Sequence, residues 1–230
     1  MTDQHPGTAA VLLLPGGGVS GTARPRAWDL PSLRMRPFAR AIGAALPGGA
    51  AGVSVVRYRH KGWNGERADA AADALRAVEA AEAAGSERVV LVGHSMGGRA
   101  ALRAAEHPAV RGVVLLAPWC PSGEPVAQLA GRQVLVLHAP HDRVTSPAES
   151  LDCARRAREG GAAVCRMLVA HSDHAMLRHA GSWHAATAGL VAGLLGARPF
   201  PAEVAEALRL PGDSPEGLEL PLPELPLLRP

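Results

Sequence analysis

The sequence has few cysteines, a single lysine and no long apolar run. Its three cysteines are widely spaced without a CxxC pair, which argues against a zinc site or a redox dithiol. Lys61 stands beside 23 scattered arginines, a pattern unlike the clustered basic face of a nucleic-acid-binding protein. The first apolar run, 11–14, is too short for a signal peptide. We therefore expect no metal, no nucleic-acid partner, no membrane span and a cytoplasmic location.

The chain does contain a repeated alternation of short apolar runs and longer alanine-rich segments. Six runs rich in Val and Leu predict β-strands, and five segments between them predict helices. Strands that are apolar on both faces are typical of a mostly parallel sheet covered by helices on both sides, so the predicted fold class is α/β. The predicted strands are 10–14, 53–58, 88–92, 112–116, 133–137 and 164–169. The predicted helices are 35–46, 66–84, 96–107, 146–159 and 181–195.

The sequence predicts one catalytic domain, residues 1–197, and a Pro- and Leu-rich C-terminal tail, residues 198–230. The segment 117–132 between the fourth and fifth strands leaves no room for a large cap domain. The tail either packs against its own domain, pairs two copies or docks on a larger assembly. These alternatives rest on the leucines of the tail, whose apolar side chains need a surface to pack against. They are Leu218, Leu220, Leu222, Leu225, Leu227 and Leu228.

The segment Gly93-His94-Ser95-Met96-Gly97 fits the pattern G-x-S-x-G. This pattern forms a sharp turn between a strand and a helix that lifts a strained serine above the sheet. A Cβ at either glycine would crowd that turn. The match directly follows the apolar run 88–92 and precedes an alanine-rich helical segment, as the turn requires. Ser95 is therefore the predicted nucleophile, with a glycine-rich turn that happens to hold a serine as the alternative.

With Gly98 included, the sequence Gly-His-Ser-Met-Gly-Gly resembles the α/β-hydrolase superfamily, and the resemblance covers roughly residues 9–195. It implies a small serine hydrolase without a cap and without a cofactor, whose nucleophile, acid and histidine follow in that order. A serine hydroxyl is a weak nucleophile at neutral pH, so it needs an adjacent base that a carboxylate orients.

The resemblance points to Asp142 as the acid and His174 as the base. Asp142 follows the fifth run in a loop similar to the family's acid loop, with Asp152 and Asp173 as weaker alternatives. His174 and His171 both follow the sixth run. We prefer His174 because a short apolar stretch follows it, as in the family, and His171 stays open as the alternative.

Two preorganised N–H donors must stabilise the tetrahedral intermediate of acyl transfer. The resemblance assigns one donor to the backbone of Met96, the residue after the nucleophile. The other belongs to the glycine loop after the first strand, where Gly17 is preferred and Gly18 is next. Gly18, His94 and Trp119 are also predicted to contact the substrate.

A group of basic and aromatic residues follows the second predicted strand, on the side where parallel sheets bind ligands. Such residues can hold an anionic part of a substrate, although they more often form a solvated loop. The group comprises Arg57, Arg59, His60, Lys61 and Trp63.

Together these residues predict an enzyme that cleaves an acyl bond of a small molecule through an acyl-enzyme intermediate. A carboxylester is the first choice of substrate and a thioester the second, because a triad does not fix the scissile bond. A binding protein that keeps the fold but lacks turnover is the alternative from a different functional class.

Overall fold

The structure is a computed structural model that describes residues 9–26 and 28–222. Seven parallel strands form one sheet in the order β2-β1-β3-β4-β5-β6-β7. They are β1 (Ala9–Leu14), β2 (Ala51–Val55), β3 (Arg88–His94), β4 (Val110–Leu116), β5 (Gln133–His138), β6 (Ala163–Leu168) and β7 (Leu220–Pro221). The predicted α/β class with a parallel sheet is confirmed, and the six predicted strands correspond to β1–β6.

Six α-helices cover the two faces of this sheet in the described part of the chain. None of them is long and apolar enough to cross a membrane. Residues of α2, α3 and α4 pack in one buried cluster, and residues of α1, α5 and α6 pack in the other. The helices are α1 (Leu30–Ala45), α2 (Asp69–Ala83), α3 (Met96–Ala104), α4 (Pro147–Glu159), α5 (Ala180–Leu194) and α6 (Ala202–Ala207).

The apolar strands are continuous in sequence because both faces of the sheet are buried. In β1, Leu12 and Leu14 belong to one core cluster, whereas Val11 and Leu13 belong to the other. Successive side chains of a strand point to opposite faces, so each face receives every second residue. This two-sided burial accounts for the uninterrupted runs of Val and Leu in the sequence.

The carboxyl ends of the parallel strands all lie at one edge of the sheet, where the loops that follow them meet. The loop after β4 contains one 3₁₀ turn, Ala127–Leu129, and leads directly into β5. Within the described residues no large cap domain covers this edge, as the sequence predicted.

The segment predicted as a tail adds α6 and β7 to the molecule. Strand β7 pairs with β6 at Met167 to Leu220 and at Leu168 to Pro221, and Leu218 is buried beside it. Residues 202–222 thus pack against the domain that precedes them. Three of the leucines that motivated a docking role lie outside the described residues, and that role stays a prediction. They are Leu225, Leu227 and Leu228.

Candidate active site

Ser95 stands at the turn between β3 and α3 in a strained backbone conformation. Its φ is 53° and its ψ is −117°, a region that costs a non-glycine residue about 1–3 kcal/mol. Two hydrogen bonds of 3.0 Å hold this backbone, one from the Ser95 N–H to the Leu116 carbonyl and one from the Trp119 N–H to the Ser95 carbonyl. The end of β4 therefore fixes the serine in its strained turn.

The glycines of the turn are required by close packing of the backbone. A Cβ on Gly93 would collide with the Gly97 carbonyl, and a Cβ on Gly97 would collide with the carbonyl oxygens of Leu14 and Pro15. The turn can therefore lie directly against the loop that follows β1. A Cβ on Gly16 in that loop would lie 3.5 Å from Ser95 Cβ, which brings the glycine loop next to the serine.

The loops after β5 and β6 bring Asp142 and His174 together. His174 Nδ1 lies 2.8 Å from Asp142 Oδ2, and the Asp142 side chain is fully buried. An ionised carboxylate can only accept hydrogen bonds, so His174 donates from Nδ1 and its Nε2 remains an acceptor. Thr145 Oγ1 lies 3.1 Å from the same carboxylate oxygen and 3.2 Å from His174 Nδ1.

The second carboxylate oxygen of Asp142 is held by the backbone. Its Oδ1 accepts from the N–H groups of Val144 at 2.8 Å and Thr145 at 3.1 Å. Burial alone would raise the pKa of this carboxyl, but the contacts of His138 and His174 and the Val144 amide outweigh it and hold the pKa below its usual range. Asp142 is therefore ionised at neutral pH.

His138, the last residue of β5, is a neighbour of Asp142 that the sequence analysis missed. Its Nε2 lies 3.3 Å from Asp142 Oδ2 and its Nδ1 lies 2.8 Å from Ser150 Oγ. Burial lowers the pKa of His138, so the ring is neutral at pH 7. The available signal was its position, because it follows Val134 and Val136 on a face of the strand that is otherwise apolar.

The alternative acids and the alternative base lie elsewhere. Asp152 is on α4 and pairs with Arg156 at 2.8 Å, and Asp173 accepts from the Leu177 N–H at 3.3 Å. His171 is exposed in a left-handed turn with φ 54° and makes no contact with Asp142 among the described residues. Of the candidates, only His174 and Asp142 are in contact.

His94 is buried beside His174. Its Nε2 lies 3.0 Å from the His174 carbonyl oxygen, and the two ring centroids are 4.8 Å apart. Burial, followed by the nearby charges of His174 and Arg34, lowers the pKa of His94 to about 3. The ring is therefore neutral and donates from Nε2 to the backbone that carries His174, while it also lines the cavity described below.

The two candidate N–H donors from the glycine loop differ in their partners. The Gly18 N–H already donates to the Lys61 carbonyl at 3.0 Å. The Gly17 N–H has no partner in the described part of the chain, and a Cβ on Gly17 would lie 2.8 Å from Met96 Sδ. Met96 is the first residue of α3, where backbone N–H groups lack intrahelical acceptors. The backbone N–H groups of Gly17 and Met96 are therefore both uncommitted among the described residues.

A cavity of about 680 Å³ opens above Ser95 and His174. The glycine loop, His94 and Val144 line it as well. Trp119 is not among the lining residues, because its ring packs edge-on against Trp63 at 6.0 Å. Gly18 and His94 line the cavity and Trp119 does not, and the contacts of all three with a substrate stay predictions.

Two members of the basic group after β2 line this cavity, and the other three make contacts elsewhere. Arg57 and Lys61 line the cavity. Arg59 instead pairs with Asp73 at 2.8 Å, and His60 contacts Asp69 at 3.2 Å, while Trp63 is buried in the core. Three further arginines that the sequence analysis did not single out line the same cavity, namely Arg26, Arg34 and Arg36.

No group of three or more His, Cys, Asp or Glu side chains in residues 9–26 and 28–222 is arranged to hold a metal ion. The three cysteines are buried and unpaired with one another by disulfides.

Comparison with known proteins gives a family match over most of the chain. The model of the alpha/beta hydrolase family matches residues 11–213. No curated protein matches the sequence significantly.

Solved structures share the fold at low sequence identity. A sugar hydrolase from Lactococcus lactis is 17% identical with a TM-score of 0.62, covering 82% of this chain and 88% of that chain. A serine hydrolase without lid from Xanthomonas campestris is 20% identical with a TM-score of 0.54, covering 86% and 84%. An alpha-beta serine hydrolase homologue from Coxiella burnetii is 12% identical with a TM-score of 0.56, covering 79% and 83%.

Proposed function

This chain belongs to the alpha/beta hydrolase family, and we propose that it is a serine carboxylesterase in which Ser95, His174 and Asp142 form the catalytic triad. The resemblance found in the sequence is confirmed at the level of family and fold. The observation that carries the proposal is the 2.8 Å contact of His174 with a buried, ionised Asp142, at a cavity that a strained Ser95 also lines. Residues with a purely structural role do not need this combination of a strained backbone and a buried charge, which is typical of functional sites.

In the acylation step, Ser95 Oγ attacks the carbonyl carbon of the ester while His174 Nε2 accepts the hydroxyl proton. The Asp142 carboxylate holds the Nδ1–H of His174 and stabilises the imidazolium that forms. The tetrahedral intermediate then collapses. His174 returns its proton to the leaving alkoxide, and the acyl group stays bonded to Ser95 as an acyl-enzyme.

The oxyanion of the tetrahedral intermediate is placed to accept from the N–H groups of Gly17 and Met96. Met96 directly follows the serine, Gly17 directly follows Gly16, which lies against the serine, and neither N–H has another acceptor among the described residues, so no existing hydrogen bond has to be broken. A single donor of this kind contributes about 2.7–4 kcal/mol to lowering the barrier.

In the deacylation step, His174 deprotonates a water molecule that attacks the acyl-enzyme. The second intermediate releases the carboxylic acid and returns the proton to Ser95 Oγ. The position of His94 supports this cycle, since its hydrogen bond to the His174 carbonyl fixes the base in both steps.

A covalent probe tests the proposed nucleophile directly. A fluorophosphonate should label the folded protein, and Ser95→Ala should abolish the label. Ser86→Ala, in the turn before β3, is the matched control and should label like the unchanged protein. If folded protein does not label at all, the triad is not functional, and the reading as a binding protein without turnover takes its place.

The choice between an ester and a thioester needs a substrate panel, because the triad performs the same steps on both. p-Nitrophenyl esters of increasing acyl length should be compared with the matching acyl thioesters. A higher kcat/KM for the esters supports the carboxylesterase, and a higher value for the thioesters makes the protein a thioesterase.

A further inference from the structure

The cavity above Ser95 is lined by an excess of positive charge. Five cationic side chains border it, from the loop after β1, from α1 and from the loop after β2. One carboxylate, Asp29, faces them. The cations are Arg26, Arg34, Arg36, Arg57 and Lys61.

The Asp29 carboxylate already contacts two of these neighbours. Lys61 Nζ lies 2.8 Å from Asp29 Oδ2, and the Arg26 backbone N–H donates to the same oxygen at 2.9 Å. The hydrogen bond from Lys61 lowers the pKa of Asp29, so this carboxylate is ionised and satisfied. It does not neutralise the remaining arginines.

Two of those arginines have no partner of opposite charge in the part of the chain that the structure describes. Arg34 and Arg57 form no ion pair with any carboxylate in residues 9–26 and 28–222. The charge of Arg34 also reaches the reaction centre, because it contributes to the lowered pKa of His94, the residue before Ser95. Arg34 and Ser95 thus line the same cavity.

The same wall is partly apolar, with Leu30, Val55 and Val144 beside the cations. A volume of about 680 Å³ falls within the range of about 300–1,000 Å³ that small-molecule sites have. The cavity thus suits a small molecule that has both an apolar part and a negative charge.

We propose that the substrate is an ester or thioester that carries an anionic group, which Arg34 and Arg57 bind while its scissile carbonyl lies at Ser95. This inference rests on the proposed function. Guanidinium groups bind carboxylate and phosphate oxygens through paired, charge-assisted hydrogen bonds, which neutral substrates cannot form. The charge surplus also raises the rate at which an anion enters the cavity.

The test compares substrates that differ in charge at matched length. For an anion on the acyl part, mono-p-nitrophenyl suberate is compared with the neutral p-nitrophenyl suberamate. For an anion on the leaving group, S-octanoyl-N-acetylcysteine, which carries one carboxylate, is compared with S-octanoyl-N-acetylcysteamine, which differs only in lacking that carboxylate. We expect kcat/KM to favour the anionic member at least tenfold in one of the two pairs, and the favoured pair identifies the position of the charge.

Variants connect this preference to the two arginines. Arg34→Gln and Arg57→Gln should each lower the ratio of kcat/KM for the anionic over the neutral substrate by about tenfold. Arg40→Gln is the matched control, since Arg40 is an exposed residue of α1 that does not line the cavity, and it should leave both rates unchanged. Added salt should reduce the ratio for the unchanged protein, because it screens the attraction.

The possible failures are distinguishable. If the unchanged protein hydrolyses the neutral substrates but prefers neither anionic one, or if both arginine variants keep the ratio of the unchanged protein, the anionic substrate is excluded and the esterase proposal stands. If no ester or thioester is hydrolysed and the fluorophosphonate does not label Ser95, both proposals are overturned.

Discussion

His174 is distinguished from His171 by one contact, the 2.8 Å hydrogen bond to Asp142. His174→Asn should lower kcat/KM for an activated ester by about 10⁴-fold or more, because Ser95 then lacks a base. His171→Asn is the matched control. Its exposed position and left-handed backbone accept asparagine, so activity should stay close to that of the unchanged protein. A loss of activity in His171→Asn alone would reverse the assignment.

His94 makes the stability of the protein depend on pH. Its pKa is about 3 in the folded protein and about 6.5 in the unfolded chain, so the unfolded chain takes up the proton first as the pH falls. The contribution of His94 to stability is therefore complete above about pH 6.5 and is lost as the pH falls towards 3. His94→Gln keeps an N–H donor for the His174 carbonyl but does not titrate.

Urea unfolding between about pH 4 and 8 measures this contribution. The free energy of unfolding of His94→Gln should change less with pH than that of the unchanged protein. The slope should not vanish, because burial also lowers the pKa of His138 and His184. His179→Asn, at an exposed histidine, should keep the original profile. Identical profiles for His94→Gln and the unchanged protein would contradict the assignment.

Some residues of the candidate site could be found in the sequence and others could not. Ser95 lies in a local motif, and Asp142 and His174 each follow an apolar strand in a required order. Arg34 has no such signal, since it precedes the predicted start of its helix and reaches the cavity only because α1 folds against the sheet. Contacts between distant segments leave no pattern in a single sequence.

The turn between β3 and α3 tolerates no side chain at Gly97. A Cβ there would meet two backbone carbonyls of the glycine loop, which cannot move away without displacing that loop. Gly97→Ala should therefore lower the free energy of unfolding by about 3 kcal/mol and reduce labelling of Ser95. Urea unfolding and probe labelling of the same sample measure both effects.

Gly181→Ala, in the first turn of α5, is the control for this substitution. A Cβ at Gly181 meets no atom within 4 Å, and alanine favours a helix over glycine. Its free energy of unfolding should rise by up to about 1 kcal/mol. Equal losses in both variants would indicate that the glycine loop does not depend on close packing at Gly97.

The sequence predicts the bounds of a strand less well where buried residues continue beyond the end of the strand, as they do after β2. The predicted strand 53–58 ends at Val55 in the structure, although Val56 and Tyr58 are buried as well. The chain leaves the sheet there, and the Tyr58 hydroxyl donates to the Pro15 carbonyl at 3.2 Å. Burial alone made these residues resemble a strand.

Helix α1 begins at Leu30, five residues before its predicted start. The prediction missed these residues because the first turn of the helix carries no regular apolar pattern.

At the scale of the whole molecule, buried arginines connect the C-terminal segment to the sheet. Arg158 on α4 donates from Nη1 to the carbonyls of Ser214 at 2.8 Å and Glu216 at 2.5 Å. Arg166 on β6 donates from Nη1 to the Leu218 carbonyl at 3.0 Å. These contacts position β7, a strand of two residues that has no periodicity of its own. The sequence could not predict it, because its partners lie about 50 residues away.

Removing one of these arginines should release the segment from the rest of the fold. Arg158→Met keeps the length of the side chain but removes the donors to the carbonyls of Ser214, Glu216 and the buried Val164, so the free energy of unfolding should fall by about 1.5–3 kcal/mol. Limited proteolysis should then cut within residues 211–222, a segment that this side chain holds at Ser214 and Glu216 in the unchanged protein. Urea unfolding and mass analysis of the fragments measure the two effects.

The control is Arg155→Met on the same helix, because Arg155 makes only exposed ion pairs, with Asp152 and Glu159, among the described residues. Such pairs contribute less than about 1 kcal/mol, so stability and the proteolytic pattern should both stay close to the original. If the two variants lose stability equally and the segment stays uncut in both, Arg158 does not hold it. A cut confined to Arg158→Met would instead show that residues up to Leu222 complete the domain through a buried charge on α4.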